Sequence, residues 1–275
     1  MKVYLSFDIE GVSGIADNIK DIDPDTPAFA SAMALSTRDV NAAIEGALSA
    51  GASEVVVYDG HGWNRRNVSY EGLHPKAMML RGRVSNAGLN MPGFTAGYDA
   101  VFFVGWHSRA GAPGILSHCL NSKAFTAWRV NGVDVGEPEL AAALAGEYNV
   151  PLVLFTGDDK SCAEVEKWLP ECERVITKYA LDRYTAICYS KEETFERIKT
   201  GAENALRRAK EIPPFRFNMP VSIEADCLND HIALAIAEIP GVKLISDKTV
   251  CYESSDYKEA FKATHAMQMI SGLAV

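Results

Sequence analysis

Short apolar runs separated by Gly, Asp and an amphipathic segment mark the first part of the chain. The runs at residues 3–7, 54–58 and 100–104 are rich in Val, Phe or Tyr, which predicts strands buried on both faces. Between the first two, residues 36–48 carry apolar side chains at the i, i+3, i+4 spacing of an amphipathic helix that ends before Gly51. This strand, helix, strand order predicts a β-α-β crossover, and hence a parallel sheet with helices on its faces.

Further elements continue this pattern towards the C-terminus with weaker signals. A helix is predicted at residues 138–148 and a fourth strand at 151–156. The second half predicts, in order, a solvated helix, a strand, a helix, strand material and a closing helix, at residues 192–211, 221–225, 230–238, 242–252 and 255–272. The expected fold class is α/β, with a mainly parallel central sheet flanked by helices and a smaller C-terminal α/β lobe. We expect a single unit, residues 1–275, with sub-lobes at 1–212 and 213–275.

The composition is that of an ordinary soluble globular protein, and it argues against some classes of partner. Of 275 residues, 48% are hydrophobic and 23% charged, and 27 Lys+Arg against 36 Asp+Glu leave a net charge of −9. This excess of acid argues against nucleic acid and membranes as partners, because both need a basic face. No apolar run approaches the roughly 18 residues of a membrane span and no signal peptide is recognised, so a cytoplasmic location is expected. The six scattered cysteines are expected to be reduced and mostly buried.

Candidate metal ligands follow three successive predicted strands. Asp8 and Glu10 come directly after the first strand, and the alternation of side chains directs both carboxylates to one side. His61 follows the second strand and His107 the third. Because ligands of open parallel sheets bind at the carboxyl ends of the strands, these side chains are expected to meet at one edge. Carboxylates and imidazoles suit Zn²⁺ or a similar divalent ion, so the sequence favours metal binding over four unrelated loop residues.

Two later residues fit the same cluster, each with an alternative. His118 lies too far beyond His107 to be a ligand from the same strand end, and it could act in catalysis or support the ligands. Glu137 lies between an apparent hairpin at Asn131-Gly132 and the helix at 138–148. It is either a further carboxylate ligand or an acid that complements the N-terminus of the helix.

Four other polar residues each have a functional and a structural interpretation. Arg109, beside His107, could bind a substrate carboxylate or form a salt bridge. Asp158 and Asp159 end the fourth strand, where they could support the metal ligands or simply form a turn. His74, in a loop before proline, is expected to be structural, and the alternative is that it lines the pocket.

Five ordered segments resemble the motif set of the DppA-type D-aminopeptidase family. The resemblance runs from the first strand to residue 159 and continues more loosely to the C-terminus. The segments are SFDIEGVSG at 6–14, DGH at 59–61, GWHSRA at 105–110, PGILSH at 113–118 and VGE at 135–137. This resemblance implies a zinc-dependent aminopeptidase that releases the N-terminal residue, possibly a D-amino acid, from short peptides with a free N-terminus.

The resemblance also implies a role for each site residue. It implies two Zn²⁺ per subunit, with Asp8 bridging both ions, Glu10 and His61 completing one site, and His107 and Glu137 completing the other. Two such ions can lower the pKa of a water molecule and polarise the substrate carbonyl.

The resemblance assigns His118 the part of catalytic residue, and the sequence leaves open whether it is a nucleophile or an acid and base. It further implies that subunits assemble into a ring-like homodecamer enclosing a channel. Two alternatives stay open. A Mg²⁺-dependent phosphohydrolase would use Asp8 but leave His61 and His107 unexplained. A non-catalytic assembly subunit would use metal only to stabilise the fold.

Overall fold

A computed structural model describes residues 1–17, 21–62, 65–82 and 91–274. The strands are β1 (Lys2–Phe7), β2 (Glu54–Asp59), β3 (Met78–Leu80), β4 (Ala100–Val104), β5 (Phe125–Val130), β6 (Val133–Asp134), β7 (Leu152–Asp158), β8 (Glu173–Ala180), β9 (Ala186–Cys188), β10 (Val221–Cys227), β11 (Lys243–Leu244) and β12 (Thr249–Ser254). The helices are α1 (Phe29–Ser49), α2 (Glu137–Glu147), α3 (Asp159–Trp168), α4 (Lys191–Arg207), α5 (Asp230–Ala237) and α6 (Tyr257–Ser271), with a 3₁₀ turn at Ala209–Glu211.

The larger sheet has seven strands in the order β3-β2-β1-β4-β7-β8-β9. All its pairings are parallel except the last, β8 with β9. Every residue of β4 and β7 is buried, as expected for strands covered by helices on both faces. The four strands predicted in the first half are confirmed as β1, β2, β4 and β7. The predicted class, a mainly parallel sheet flanked by helices, is confirmed as well.

Helix α1 begins seven residues before its predicted start at residue 36. The pair Ser36-Thr37 resembles a helix N-terminus in the sequence, but both residues lie inside the helix. The Thr37 hydroxyl is satisfied there, because it donates to the Met33 carbonyl oxygen one turn earlier, at 2.7 Å. Gly46 faces α4 so closely that a Cβ atom would lie 2.2 Å from the Lys199 carbonyl oxygen. The absence of a side chain at Gly46 therefore sets the spacing of α1 and α4 on one face of the sheet.

The smaller sheet is antiparallel, with the order β11-β12-β10-β5-β6. Its strands β5 and β6 form the hairpin predicted at Asn131-Gly132, where both residues have positive φ, 53° and 78°. The strand material predicted at 242–252 is divided into β11 and β12 by a turn closed from the Ile245 N–H to the Thr249 carbonyl oxygen, at 2.9 Å. Strands β5 and β6 precede the lobe boundary expected at residue 212, and that division stays a prediction.

The cysteines agree with their expected state. All six are free thiols, five of them buried and Cys188 exposed. Among the described residues, no helix combines the length and the apolar character needed to cross a membrane.

Candidate metal centre at the sheet edge

The turn that follows β1 carries Asp8 and Glu10, which are buried to 5% and 2% exposure. Its backbone is fixed to the end of β4, because the Gly11 N–H donates to the Gly105 carbonyl oxygen at 2.7 Å. A Cβ atom at Gly11 would lie 2.3 Å from the Trp106 carbonyl oxygen, closer than real contacts allow. Glycine at this position thus lets the turn lie directly against the neighbouring strand, with both carboxylates at the carboxyl edge of the sheet.

His61 approaches both of these carboxylates from the end of β2. Its Nδ1 lies 3.0 Å from Asp8 Oδ1 and 3.3 Å from Glu10 Oε2. The loop behind it is held by Asn67, whose side-chain amide donates to Asp59 Oδ1 and to the His61 carbonyl oxygen, each at 2.9 Å. These bonds fix the backbone of His61 beside the turn after β1.

His107 reaches the other oxygen of Asp8 from the end of β4. Its Nδ1 lies 2.8 Å from the Ser108 carbonyl oxygen, which can only accept, so this nitrogen carries the ring proton. Its Nε2 faces two carboxylates, 3.4 Å from Asp8 Oδ2 and 3.5 Å from Glu137 Oε1. Asp8 therefore stands between two histidines and presents one oxygen to each.

Glu137 is the first residue of α2, a position where an acid could simply complement the N-terminus of the helix. That task belongs to Glu139, whose Oε2 accepts from the N-cap Gly136 N–H at 3.0 Å. The Glu137 carboxylate turns instead towards His107, and its Oε1 also accepts from the Leu120 N–H at 2.7 Å. The geometry thus brings Glu137 into the cluster.

His118 lies over the same carboxylates on a loop with unusual backbone geometry. Leu116, two residues earlier, has a left-handed φ of 52°, and its carbonyl oxygen lies 2.8 Å from His118 Nδ1. The His118 ring stacks on the His107 ring, with centroids 4.1 Å apart. Its Nε2 lies 4.0 Å from Glu10 Oε1 and 3.9 Å from Glu137 Oε1. All six residues predicted from the sequence therefore meet at one place.

Burial and mutual charge decide the protonation of the cluster. Burial alone would lower the pKa of His61 and of His107, but facing carboxylates raise both pKa values well above the ordinary range. Glu10 and Asp8 do so for His61, and Asp8, Glu137 and Glu10 do so for His107. Burial would raise the pKa of Asp8, yet the facing imidazoles of His107 and His61 hold it well below its ordinary value. In contrast, burial and the neighbouring charge of His107 lower the pKa of His118.

The donor set fits a pair of divalent cations. Three overlapping groups have ligand atoms that lie within 4.8 Å of one another: Asp8, Glu10 and His61; Asp8, His107 and Glu137; and Glu10, His107 and His118. Glu10 Oε2 and His107 Nε2 are buried without a hydrogen-bond partner among the described residues. Buried polar atoms normally have partners, so these two atoms are suited to hold a metal ion. Oxygen and imidazole nitrogen together suit zinc and related ions.

The loop that carries His118 is held by residues whose role the sequence left open or did not reveal. Asp158 caps α3 by accepting from the Lys160 and Ser161 N–H groups, and its other oxygen accepts from the Ile115 N–H at 2.7 Å. The sequence predicts no role for Arg183. Its guanidinium donates to the carbonyl oxygen and the hydroxyl of Ser117, and its own carbonyl oxygen accepts from the Leu116 N–H at 3.0 Å.

Two further candidates from the sequence have structural partners. Arg109 forms ion pairs with Glu164 at 3.0 Å and with Asp134 at 3.4 Å, which favours the salt-bridge alternative. His74 lies in a separate cavity with Thr37 and Asn41, outside the cluster. The structural role expected for His74 agrees with this position, whereas the role of Arg109 depends on contacts between distant segments that the sequence does not show.

A buried cluster of carboxylates and histidines at the carboxyl ends of parallel strands is typical of the active site of a metallohydrolase. The match to a family model supports this class of protein. The chain belongs to the peptidase M55 family, described as D-aminopeptidase, whose model matches residues 1–266. It is thus a hydrolase acting on peptide bonds and an aminopeptidase, which confirms the resemblance seen in the motifs.

The chain is similar in sequence and in fold to D-aminopeptidase from Bacillus subtilis. The chain is 28% identical over 268 residues to the D-aminopeptidase of strain 168, covering 97% of this chain and 96% of that protein. Its fold matches the solved structure of the Zn-dependent D-aminopeptidase DppA, a self-compartmentalizing protease, with a TM-score of 0.94 and 27% identity over 99% of this chain and 98% of that chain.

Proposed function

We propose that this protein is a dinuclear zinc aminopeptidase that removes the N-terminal residue, in the D configuration, from short peptides. The observation that carries the proposal is the position of Asp8 between two histidines, with Oδ1 3.0 Å from His61 and Oδ2 3.4 Å from His107. A carboxylate that offers one oxygen to each side is suited to link two cations. The D configuration and the choice of zinc rest on the family and on the similar Zn-dependent enzyme.

The proposed ligands divide into two sets around Asp8. Glu10 and His61 would complete one zinc site, and His107 and Glu137 the other. When bound, the zinc ions supply a water nucleophile at neutral pH and polarise the scissile carbonyl group. The three carboxylates carry less charge than two divalent ions, so the loaded site would keep one net positive charge to attract the carbonyl oxygen.

His118 is proposed as the group that moves a proton during peptide cleavage. Its Nδ1 faces the Leu116 carbonyl oxygen and so holds a proton, which leaves the Nε2 lone pair directed at the cluster. Because its pKa is lowered by burial and by His107, the ring is neutral near pH 7 and able to accept a proton at Nε2. A base that then returns this proton to the leaving amine would serve both halves of the reaction.

His61 and His118 form the open side of the cluster, with side chains 20% and 19% exposed, whereas His107 is 1% exposed. We propose that the peptide enters from this side, with its free amino group and first carbonyl group over the carboxylates. The phosphohydrolase alternative uses Asp8 alone and gives no account of the two histidines in contact with it.

We also propose that the protein assembles with copies of itself as a homodecamer. Apolar side chains on the β8–β9 hairpin support an association surface, since Leu181, Tyr184 and Ile187 are 64%, 55% and 60% exposed. Light scattering coupled to size exclusion should give a mass near ten times 29.9 kDa. A single-chain mass at micromolar concentration would contradict the assembly and leave the metal site proposal intact.

The test of the catalytic proposal combines metal counting with matched variants. Mass spectrometry of metals should find two zinc ions per chain, and the protein should release D-alanine from D-alanine amide faster than L-alanine from its enantiomer. His118→Ala should keep both ions and lose about 10² to 10⁴ in kcat. His231→Ala, an exposed histidine on α5, is the matched control and should leave kcat unchanged. Zinc-loaded protein that cleaves neither amide would refute the proposal.

A further inference from the structure

Lys178, on β8, is a fully buried lysine that lies outside the proposed catalytic set. An ammonium group is almost never fully buried unless all its donors are satisfied, because burial removes it from water. Lys178 Nζ donates to three backbone carbonyl oxygens: Glu10 at 2.5 Å, Val12 at 2.8 Å and Ile15 at 2.5 Å. These bonds use all three donors of the ammonium group, and none goes to a carboxylate.

All three acceptors belong to the turn that carries the metal-site carboxylates. One of them is the carbonyl oxygen of Glu10 itself. The preceding residue on β8, Thr177, donates its hydroxyl to the Gly11 carbonyl oxygen at 2.5 Å, within the same turn. On the opposite side, the turn is fixed to β4 by the bond between Gly11 and Gly105 at 2.7 Å.

We propose that Lys178 is a positioning residue of the metal centre, whose ammonium group holds the turn at residues 10–15 and thereby directs the Glu10 carboxylate at His61. This inference rests on the proposed two-metal site. The Glu10 carboxylate faces His61 Nδ1 at 3.3 Å and His118 Nε2 at 4.0 Å, so the backbone that bears Glu10 sets how its carboxylate meets the imidazoles. Asp8, the shared residue, is anchored separately by its N–H bond to the Val104 carbonyl oxygen at 2.9 Å.

The two proposed metal sites should depend on Lys178 to different extents. The zinc site of Glu10 and His61 depends on the turn that Lys178 holds, whereas the site of His107 and Glu137 is built on β4 and α2. Loss of the ammonium group should therefore weaken one ion and spare the other. A lysine that only stabilises the fold would affect both ions together, or neither.

The experiment compares Lys178→Met, which keeps an unbranched apolar stem but has no donor, with wild-type protein loaded with Co²⁺. Cobalt titration followed by visible absorption should show two binding steps in wild type. In K178M the step assigned to the Glu10 and His61 site should weaken about 10 to 100-fold, as for other residues that orient metal ligands. The other step should change by less than about threefold. His61→Gln, which removes a ligand of that site, identifies which step is lost.

Val175→Ala is the matched control for stability. Val175 is buried on the same strand, and its side chain packs against Gly201 of α4. It should lower the melting temperature without altering either cobalt step. Should K178M fail to fold, Lys178→Gln keeps a shorter donor and should weaken the same step by a smaller factor.

The outcomes separate this inference from the proposed function. Two unchanged cobalt steps in K178M or K178Q, or equal weakening of both, would overturn the role of Lys178 and leave the two-metal site in place. A wild-type protein that binds one cobalt ion or none would overturn the two-metal site itself.

Discussion

Removal of the metal ions should leave His61 and His107 protonated at a pH where ordinary imidazoles are neutral. Each ring lies within 3.5 Å of two carboxylate oxygens. Unit charges about 3 Å apart attract by about 5 kcal/mol at an effective dielectric constant of about 20, before the cost of burial is subtracted. This attraction outweighs burial and raises both pKa values well above 6.5, whereas His118 moves in the opposite direction.

The directions of these pKa shifts determine how fold stability and metal binding change with pH. In the zinc-free protein, the raised pKa values stabilise the fold in full below pH 6.5, and this contribution is lost as the pH rises through the folded-state values. The depressed pKa of Asp8 stabilises the fold above about pH 4, and this contribution is lost on further acidification. In the proposed two-metal site, zinc would displace a proton from each of the two histidines, so its binding should weaken by about 1.4 kcal/mol per histidine for each pH unit below their pKa values.

The assay is proton NMR of the imidazole Cε1 signals in zinc-free protein, titrated from about pH 5.5 to 8.5, with signals assigned by His→Gln variants. Two of the six histidines should remain largely protonated at pH 7.5, where an ordinary imidazole is about 10% protonated. Zinc competition assays should show the matching pH dependence. Midpoints between about pH 6 and 7 for both His61 and His107 would refute the reasoning, because the carboxylates would then not face the rings.

Three further substitutions test contacts around the site. Gly11→Ala places a Cβ atom 2.3 Å from the Trp106 carbonyl oxygen and should cost at least about 1–3 kcal/mol of unfolding free energy in urea titrations; a loss below about 0.5 kcal/mol would contradict the close approach. Arg183→Met frees the loop of His118 and should lower kcat about tenfold with two zinc ions retained, whereas a parallel loss of zinc would show that Arg183 supports the ligands instead. Glu139 has a pKa raised by burial to about 7, so wild type loses stability as the pH rises from 4.5 to 7. Glu139→Gln keeps the capping bond and should be more stable than wild type at pH 8, by at most about 3 kcal/mol, with no gain at pH 4.

Strands β1, β2, β4 and β7 of the large sheet were predictable because each is a short apolar run with clear boundaries. The candidate ligands Asp8, His61 and His107 follow directly from the ends of β1, β2 and β4. Strand β8 was not predicted, although residues 175–177 are β-branched, because charged residues interrupt its pattern. One of these, Lys178, is buried only because three carbonyl groups of a distant turn surround it.

The remaining part of the site depends on tertiary contacts that no local pattern encodes. The direction of Glu137 is decided by Glu139, which already serves the helix terminus, and by the Leu120 N–H, which lies on another segment. The position of His118 depends on the left-handed backbone of Leu116 and on the contacts of Arg183 with Ser117, which are 66 residues apart in sequence. Periodicity and spacing describe single elements, so they indicate which residues are candidates and not which side chains meet.

The order of strands in the large sheet explains why the site lies where it does. From β1 the chain runs outward through β2 to β3 on one side, then returns to β4 and continues through β7 to β8 on the other. In open α/β sheets, the crossovers diverge where the order reverses and leave a crevice between the two central strands. Asp8 and His107 lie on opposite sides of this crevice, with Asp8 Oδ2 3.4 Å from His107 Nε2. The location of the centre is therefore a property of the topology, and the loops contribute only the choice of side chains that fill it.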